Sequence, residues 1–165
     1  MKSHQVFARL SPERAFALLS KVQEKLPGVY TQAVGAACVT LKARPQFMMK
    51  QSKEKRAAFV RQALSRFAAS PIAEEVLAAY FLEVRRDLLT EWLDALGIEH
   101  ENGILKNDNP AEPAREAIDA ALAKFRAGAD PEDRQLLLEA FAAQSAVEWP
   151  ALDAALGLVE SGATS

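Results

Sequence analysis

The sequence predicts an all-α protein: a compact bundle of six or seven helices around one long central helix at about 71–96, with a polar loop or small hairpin at 98–112. Three observations predict it. Ala, Leu, Glu, Arg, Lys and Gln dominate, and these side chains keep their rotamer freedom in a helix. Period-2 alternation is almost absent. Finally, Ser11-Pro12-Glu13, Ser70-Pro71 and Asp130-Pro131-Glu132-Asp133 share one grammar. A short polar side chain caps free amides, proline takes the first helical position, and any acids that follow meet the positive end of the dipole.

The elements follow in order. A first helix is expected over about 12–25, with Phe16, Leu19 and Val22 on one side and Pro27-Gly28 as its stop. A second, about 29–42, carries Ala33, Gly35, Ala36 and Ala37, small residues that let a neighbour approach and so predict a buried helix. Pro45 opens a short helical turn over 46–51. The third long helix, about 53–68, has Ala57, Val60, Ala63, Leu64 and Phe67 at the helical period.

The fourth, about 71–96, is the longest, and its apolar stripe drifts from Ile72, Val76 and Tyr80 to Leu89, Trp92, Leu93 and Leu96. An apolar circumference of that kind belongs to a central helix. Gly97 is its stop. Asn102-Gly103 then marks a turn, and Asn107-Asp108-Asn109-Pro110 extends the loop to Pro113. A fifth helix is expected over about 113–127 with Gly128 closing it, a sixth over about 131–147, and a short last one from Trp149-Pro150 to Leu156. Tyr80, Phe81, Trp92 and Trp149 are expected in the core.

One helical domain is expected over 1–160, with 161–165 as a frayed tail. Half the residues are hydrophobic, enough for a core. The charge is split. Residues 1–69 carry 13 Lys and Arg against 3 Asp and Glu, whereas 70–165 carry 7 against 19. A basic front lobe (1–69) and an acidic back lobe (70–160) therefore meet at Ala69-Ser70. No apolar run reaches the ~18 residues of a membrane span, and the start lacks the apolar region of a signal peptide. Cys38 is the only cysteine, in the apolar stretch 34–41, and reads as a buried reduced thiol. These features predict a cytoplasmic protein.

Three groups of residues invite a functional reading. The first is the basic segment: Lys42, Arg44, Lys50, Lys53, Lys55, Arg56, Arg61 and Arg66, with Glu54 its only acid. Several cations on one side suit phosphate or an acidic protein surface. The short helix and the third helix would form a helix-turn-helix with Lys55, Gln62 and Arg66 outward. The plainer alternative is a solvated face, or one paired with the chain's own acidic half.

The second group is Glu99-His100-Glu101, with Asp108 placed to return across the loop. A histidine between carboxylates can serve in acid–base or metal chemistry, or simply close a polar turn. The third is the strip Glu83–Asp87–Glu91–Asp94, either a carboxylate ridge or a solvent-facing side; di-metal bundles need Glu-x-x-His pairs that are absent here. In the same helix Arg85-Arg86 reads as an exposed pair, or with one member turned inward. Glycine-rich phosphate loops, Gly-x-Ser-x-Gly, His-Glu-x-x-His and Cys-x-x-Cys are all missing from the sequence.

The leading functional expectation is therefore a non-catalytic cytoplasmic interaction protein, an adaptor or regulator, with a protein partner or self-association and no cofactor, metal or membrane. Nucleic-acid binding through 42–66 is the alternative, and a helical enzyme or metal protein using His100 the third. One consequence is directly testable. Limited proteolysis should cut within 98–113 before any helix, because turn residues, length and polarity concentrate there. First cleavage near 42–52 would move the accessible joint into the basic segment.

Overall fold

A computed structural model describes residues 1–158; the tail expected to fray at 161–165 lies outside the described residues. Among the described residues the protein is all-α, with ten α-helices and one two-stranded hairpin. No helix among them is long and apolar enough to cross a membrane. The chain forms two compact units, Lys2–Val84 and the chain from Arg85 onward together with Met1. Their boundary falls at 84/85, beyond the charge switch at Ala69-Ser70. Lys2–Val84 carries 13 Lys and Arg against 6 Asp and Glu, and the chain from Arg85 onward 7 against 16, so each unit keeps its sign.

The unit Lys2–Val84 begins with a helix that the sequence reading does not contain, α1 (Ser3–Arg9). Its capping is unconventional: the Lys2 backbone N–H donates to Gln5 Oε1 at 2.7 Å. α1 buries Val6 and Phe7 and packs on α5 (Lys53–Leu64) and α6 (Ser70–Ala79). α2 (Pro12–Lys25) has the expected bounds, and Ser11 Oγ accepts from the Arg14 N–H at 3.1 Å. α3 (Pro27–Leu41) begins at Pro27, so the proline expected to stop one helix starts the next. α3 buries Tyr30, Ala33, Val34, Ala37 and Cys38 against α2 and α5, yet Gly35 is exposed and Val39 is 81% exposed. The helix expected to be buried is thus buried on one side only. α4 (Pro45–Met49) inserts Met48, and Ser52 caps α5 by accepting from the Lys55 N–H at 3.2 Å.

α5 stops at Leu64 rather than near 68, and a 3₁₀ turn, Phe67–Ala69, follows. Phe67, expected on the apolar side, is 77% exposed with its ring edge-on to His4. Ser70 does not cap α6. It is the first helical residue, and its hydroxyl meets His4 Nδ1 at 3.1 Å.

The single helix expected over 71–96 is two helices. α6 ends at Ala79, Tyr80–Val84 winds as a π turn, and Arg85 leaves helical geometry at φ −123°, ψ 46° before α7 (Arg86–Leu96) begins. The drifting stripe has this cause: α6 buries Ala73, Val76 and Leu77, whereas α7 buries Leu88, Trp92, Leu93 and Leu96. A π turn winds with i→i+5 spacing and so shifts the phase of the residues beyond it.

The second unit is built on α7, α8 (Arg115–Arg126) and α9 (Pro131–Ala142), with the short α10 (Pro150–Ala155) against α8. Trp92 is wholly buried, its ring 5.4 Å from Phe125 and 6.0 Å from Phe141. Gly97 stops α7 in the left-handed region at φ 72°, as expected. The hairpin is present. β1 (His100–Glu101) pairs antiparallel with β2 (Ile104–Leu105) through Asn102 at φ 52° and Gly103 at φ 90°, both positive as an Asn-Gly hairpin turn requires. Trp149 Nε1 donates to Pro110 O, and the Ala151 N–H donates to Glu112 Oε1, so the loop after the hairpin is tied to the start of α10. Its longest exposed run is 106–109.

At the turn from α8 to α9 the expected cap fails, whereas Gly128 follows the end of α8 as expected. Asp130 is not a capping residue: it sits at φ 60° with no cap bond, and its Oδ2 accepts from Arg85 instead. Gly128 lacks the positive φ of a helix-stopping glycine. A Cβ there would overlap Cζ and Nη2 of Arg134, so the guanidinium requires the glycine.

The glycines separate these cases. Gly35→Ala should stabilise by roughly 0.5–1 kcal/mol, since its Cβ meets nothing within 4 Å and the helix loses a flexible residue. Gly128→Ala should destabilise by about 1–3 kcal/mol, because Arg134 must move. Urea unfolding of both variants checks this, and shifts of the same sign would refute it.

Candidate functional site

The basic segment lies on the surface of Lys2–Val84, on the end of α3, on α4, and on α5 with the residues just after it. Its cations divide into two kinds. Arg61 is half-buried, with Nε donating to Leu10 O at 2.7 Å and Nη2 to Ala8 O at 3.4 Å. These carbonyls end α1, and a guanidinium there satisfies them and meets the negative end of the dipole. Arg61 is therefore taken out of the candidate face. Arg56 is also half-buried, with Nη1 3.9 Å from Met49 Sδ. It stands near Tyr30, whose hydroxyl is pushed up by burial while the Arg56 charge works the other way.

The remaining cations, Lys42, Arg44, Lys50, Lys53, Lys55 and Arg66, are exposed and make no ion pair among the described residues. Lys55 and Gln62 point outward from α5 as expected, and Arg66 is exposed beyond its end. α4 and α5 are joined by Lys50-Gln51-Ser52.

The sequence reading missed what stands between these cations. Val39 is 81% exposed, Phe47 61% and Met49 57%. The signal was available in part: α4 is five residues long, and only Met48 of Phe47-Met48-Met49 turns inward. So short a helix has one buried side and leaves the rest in water. Exposed apolar residues scattered singly need no explanation, but three within eleven residues, among unpaired cations, single out this segment.

The second candidate group is not brought together as a polar site. Glu99, Glu101 and Asp108 are exposed, and the His100 ring nitrogens bond to other groups. His100 accepts the Gly103 backbone N–H on Nδ1 at 3.1 Å and meets Asp94 Oδ1 through Nε2 at 2.7 Å. With Nδ1 accepting, Nε2 carries the proton and donates to the carboxylate. Both ring nitrogens are spent on holding the hairpin against α7. Among the described residues no three His, Cys, Asp or Glu side chains converge as a metal site would need.

The α7 part of the acidic strip is also absorbed. Asp87 pairs with Arg85 at 3.1 Å, Glu91 takes Arg134 bidentately at 2.9 and 3.0 Å, and Asp94 takes His100. Arg85, not Arg86, is the inward member of its pair, with its side chain 19% exposed against Asp87, Asp130 and Asp133. The Arg85 hydrogen bond holds the Asp87 carboxyl below its usual range. A lowered carboxyl favours the folded state at neutral pH and loses that effect as pH falls through the carboxylate range; Asp87 is 66% exposed, so the effect is small.

Comparison of the chain with protein-family models, with curated proteins and with solved structures yields no match. The site therefore rests on its own geometry.

The division among the cations is measurable. Arg61→Ala should cost about 1–2 kcal/mol, since two backbone carbonyls lose their donor. Lys55→Ala should stay within about 0.5 kcal/mol, as an unpaired surface residue. Urea midpoints at unchanged slope provide the comparison, and equal losses would place both residues on the same footing.

Proposed function

We propose that the chain is a non-catalytic helical interaction protein, an adaptor or regulator, that holds an acidic protein partner on the face at residues 39–66. One observation carries the reading: Val39, Phe47 and Met49 stand in water among six cations that make no ion pair among the described residues. Interfaces combine an apolar centre, with aromatics and Met enriched, and a polar rim. Cations at the rim steer an acidic partner and exclude basic ones. The buried Cys38, whose thiol burial pushes up, suits a reducing compartment and supports a cytoplasmic setting.

Nucleic-acid binding is the second reading, favoured by the three-residue connection between α4 and α5 and the outward Lys55, Gln62 and Arg66. A phosphate surface, however, has no use for an exposed Val39 or Met49. Fluorescence anisotropy decides between them, with a labelled acidic Leu/Glu amphipathic helical peptide and a labelled DNA duplex as probes. The peptide should bind, and Phe47→Ser with Met49→Ser should weaken it about tenfold or more. Lys50→Glu with Lys53→Glu should slow its association, most at low salt. The reading fails if the peptide does not bind. It fails also if the duplex binds more tightly, with an affinity that falls steeply with salt and ignores Phe47 and Met49.

A further inference from the structure

The described residues expose five large apolar side chains. Four lie in the basic unit, and the fifth is Ile104, 62% exposed, in the acidic one. Ile104 stands on the hairpin directly across from Glu101. Glu99, Glu101 and Asp108 in the hairpin and the loop after it are all exposed, and Lys106 is the one Lys or Arg between Ile98 and Pro113. The hairpin is a fixed object. The positive-φ pair Asn102-Gly103 sets its turn, and His100 fastens it to Gly103 on one nitrogen and to Asp94 on the other.

Ile104 is thus an apolar knob with an acidic rim. The face at 39–53 is its complement: Val39, Phe47 and Met49 with Lys42, Arg44, Lys50 and Lys53 around them. The two surfaces match in apolar character and oppose in sign, and they belong to different units of the same chain.

We infer that the occupant of the basic face is a second copy of this chain, docked through its acidic hairpin, 99–108. The inference rests on the reading of that face as a protein-docking surface. Under a two-fold axis the contact repeats, each copy giving its hairpin and receiving the other's. A prefastened hairpin adds little ordering cost on binding, which favours it over a disordered acidic segment. Glu99, Glu101 and Asp108 then form the rim, and His100 is a positioning residue that holds Ile104 outward.

Sedimentation velocity of the full chain over a concentration series tests this at about 0.02 M and about 0.5 M salt, where screening differs strongly. The wild type should form a dimer at low salt and dissociate more readily at high salt. Ile104→Asp alone, and Phe47→Asp with Met49→Ser, should each raise the dissociation constant about tenfold or more. All three positions are exposed, and circular dichroism with an unchanged urea midpoint confirms that the variants fold.

The decisive sample is an equimolar mixture of the two variants. One supplies an intact face and the other an intact hairpin, so one of the two junctions is regenerated. The mixture should associate more tightly than either variant alone and less tightly than wild type. A mixture no tighter than its components overturns the pairing, as does Ile104→Asp that still associates like wild type. A wild type that is monomeric at every concentration and salt also overturns it. If that monomer still binds the acidic peptide at Phe47 and Met49, only self-docking falls; if it binds neither, the docking face falls too.

Discussion

Arg134 carries a full charge into a setting where its side chain is only 8% exposed, and the unit from Arg85 onward is arranged around that fact. An unpaired ion so placed would cost several kcal/mol, so every direction of the guanidinium must be answered. Glu91 of α7 takes two N–H groups, the carbonyls of Phe125 and Ala129 take two more, and the Phe125 ring lies 4.7 Å from Cζ. Gly128 leaves the room that any side chain would fill. One α9 residue thereby sets the approach of α7 and the end of α8. Such a contact adds little net stability compared with an apolar core of the same volume, but removing one partner strands the other.

The same logic disposes of the acids on α7. Asp87, Glu91 and Asp94 are paired with the side chains of Arg85, Arg134 and His100 respectively. These partners come from the helix's own start, from α9 and from the hairpin. A strip that repels itself on an isolated helix becomes the polar stitching of the folded unit. On the opposite side of α7, Trp92 packs against Phe125 and Phe141.

Lys2–Val84 is organised the opposite way. Of its basic segment only Arg61 and Arg56 fold back onto the unit, and the rest stay in solvent beside Val39, Phe47 and Met49. The acids of α7 are spent on internal partners, whereas most cations of the basic segment are left outward. This contrast is what motivates the proposal that the chain works by association.

Local grammar determined a good deal. Proline at the first helical turn, the Asn-Gly turn and the left-handed Gly97 act within a few residues, so α2, α4, the hairpin and the end of α7 were readable from the chain alone. The all-α class and the burial of Trp92 and Trp149 were readable for the same reason, through period and size. Tertiary structure decided what depends on partners distant in sequence. The break at Tyr80–Arg85 reflects two cores claiming opposite ends of one apolar stripe. Asp130 and Ser70 look like caps, yet Arg85 and His4 claim them, because a charge-assisted or buried partner outweighs a local amide. The roles of Arg61, Arg134 and His100 were hidden because a charged residue at a helical spacing looks the same whether water or a buried carbonyl receives it. Only the fold determines which carbonyls and carboxylates are within reach.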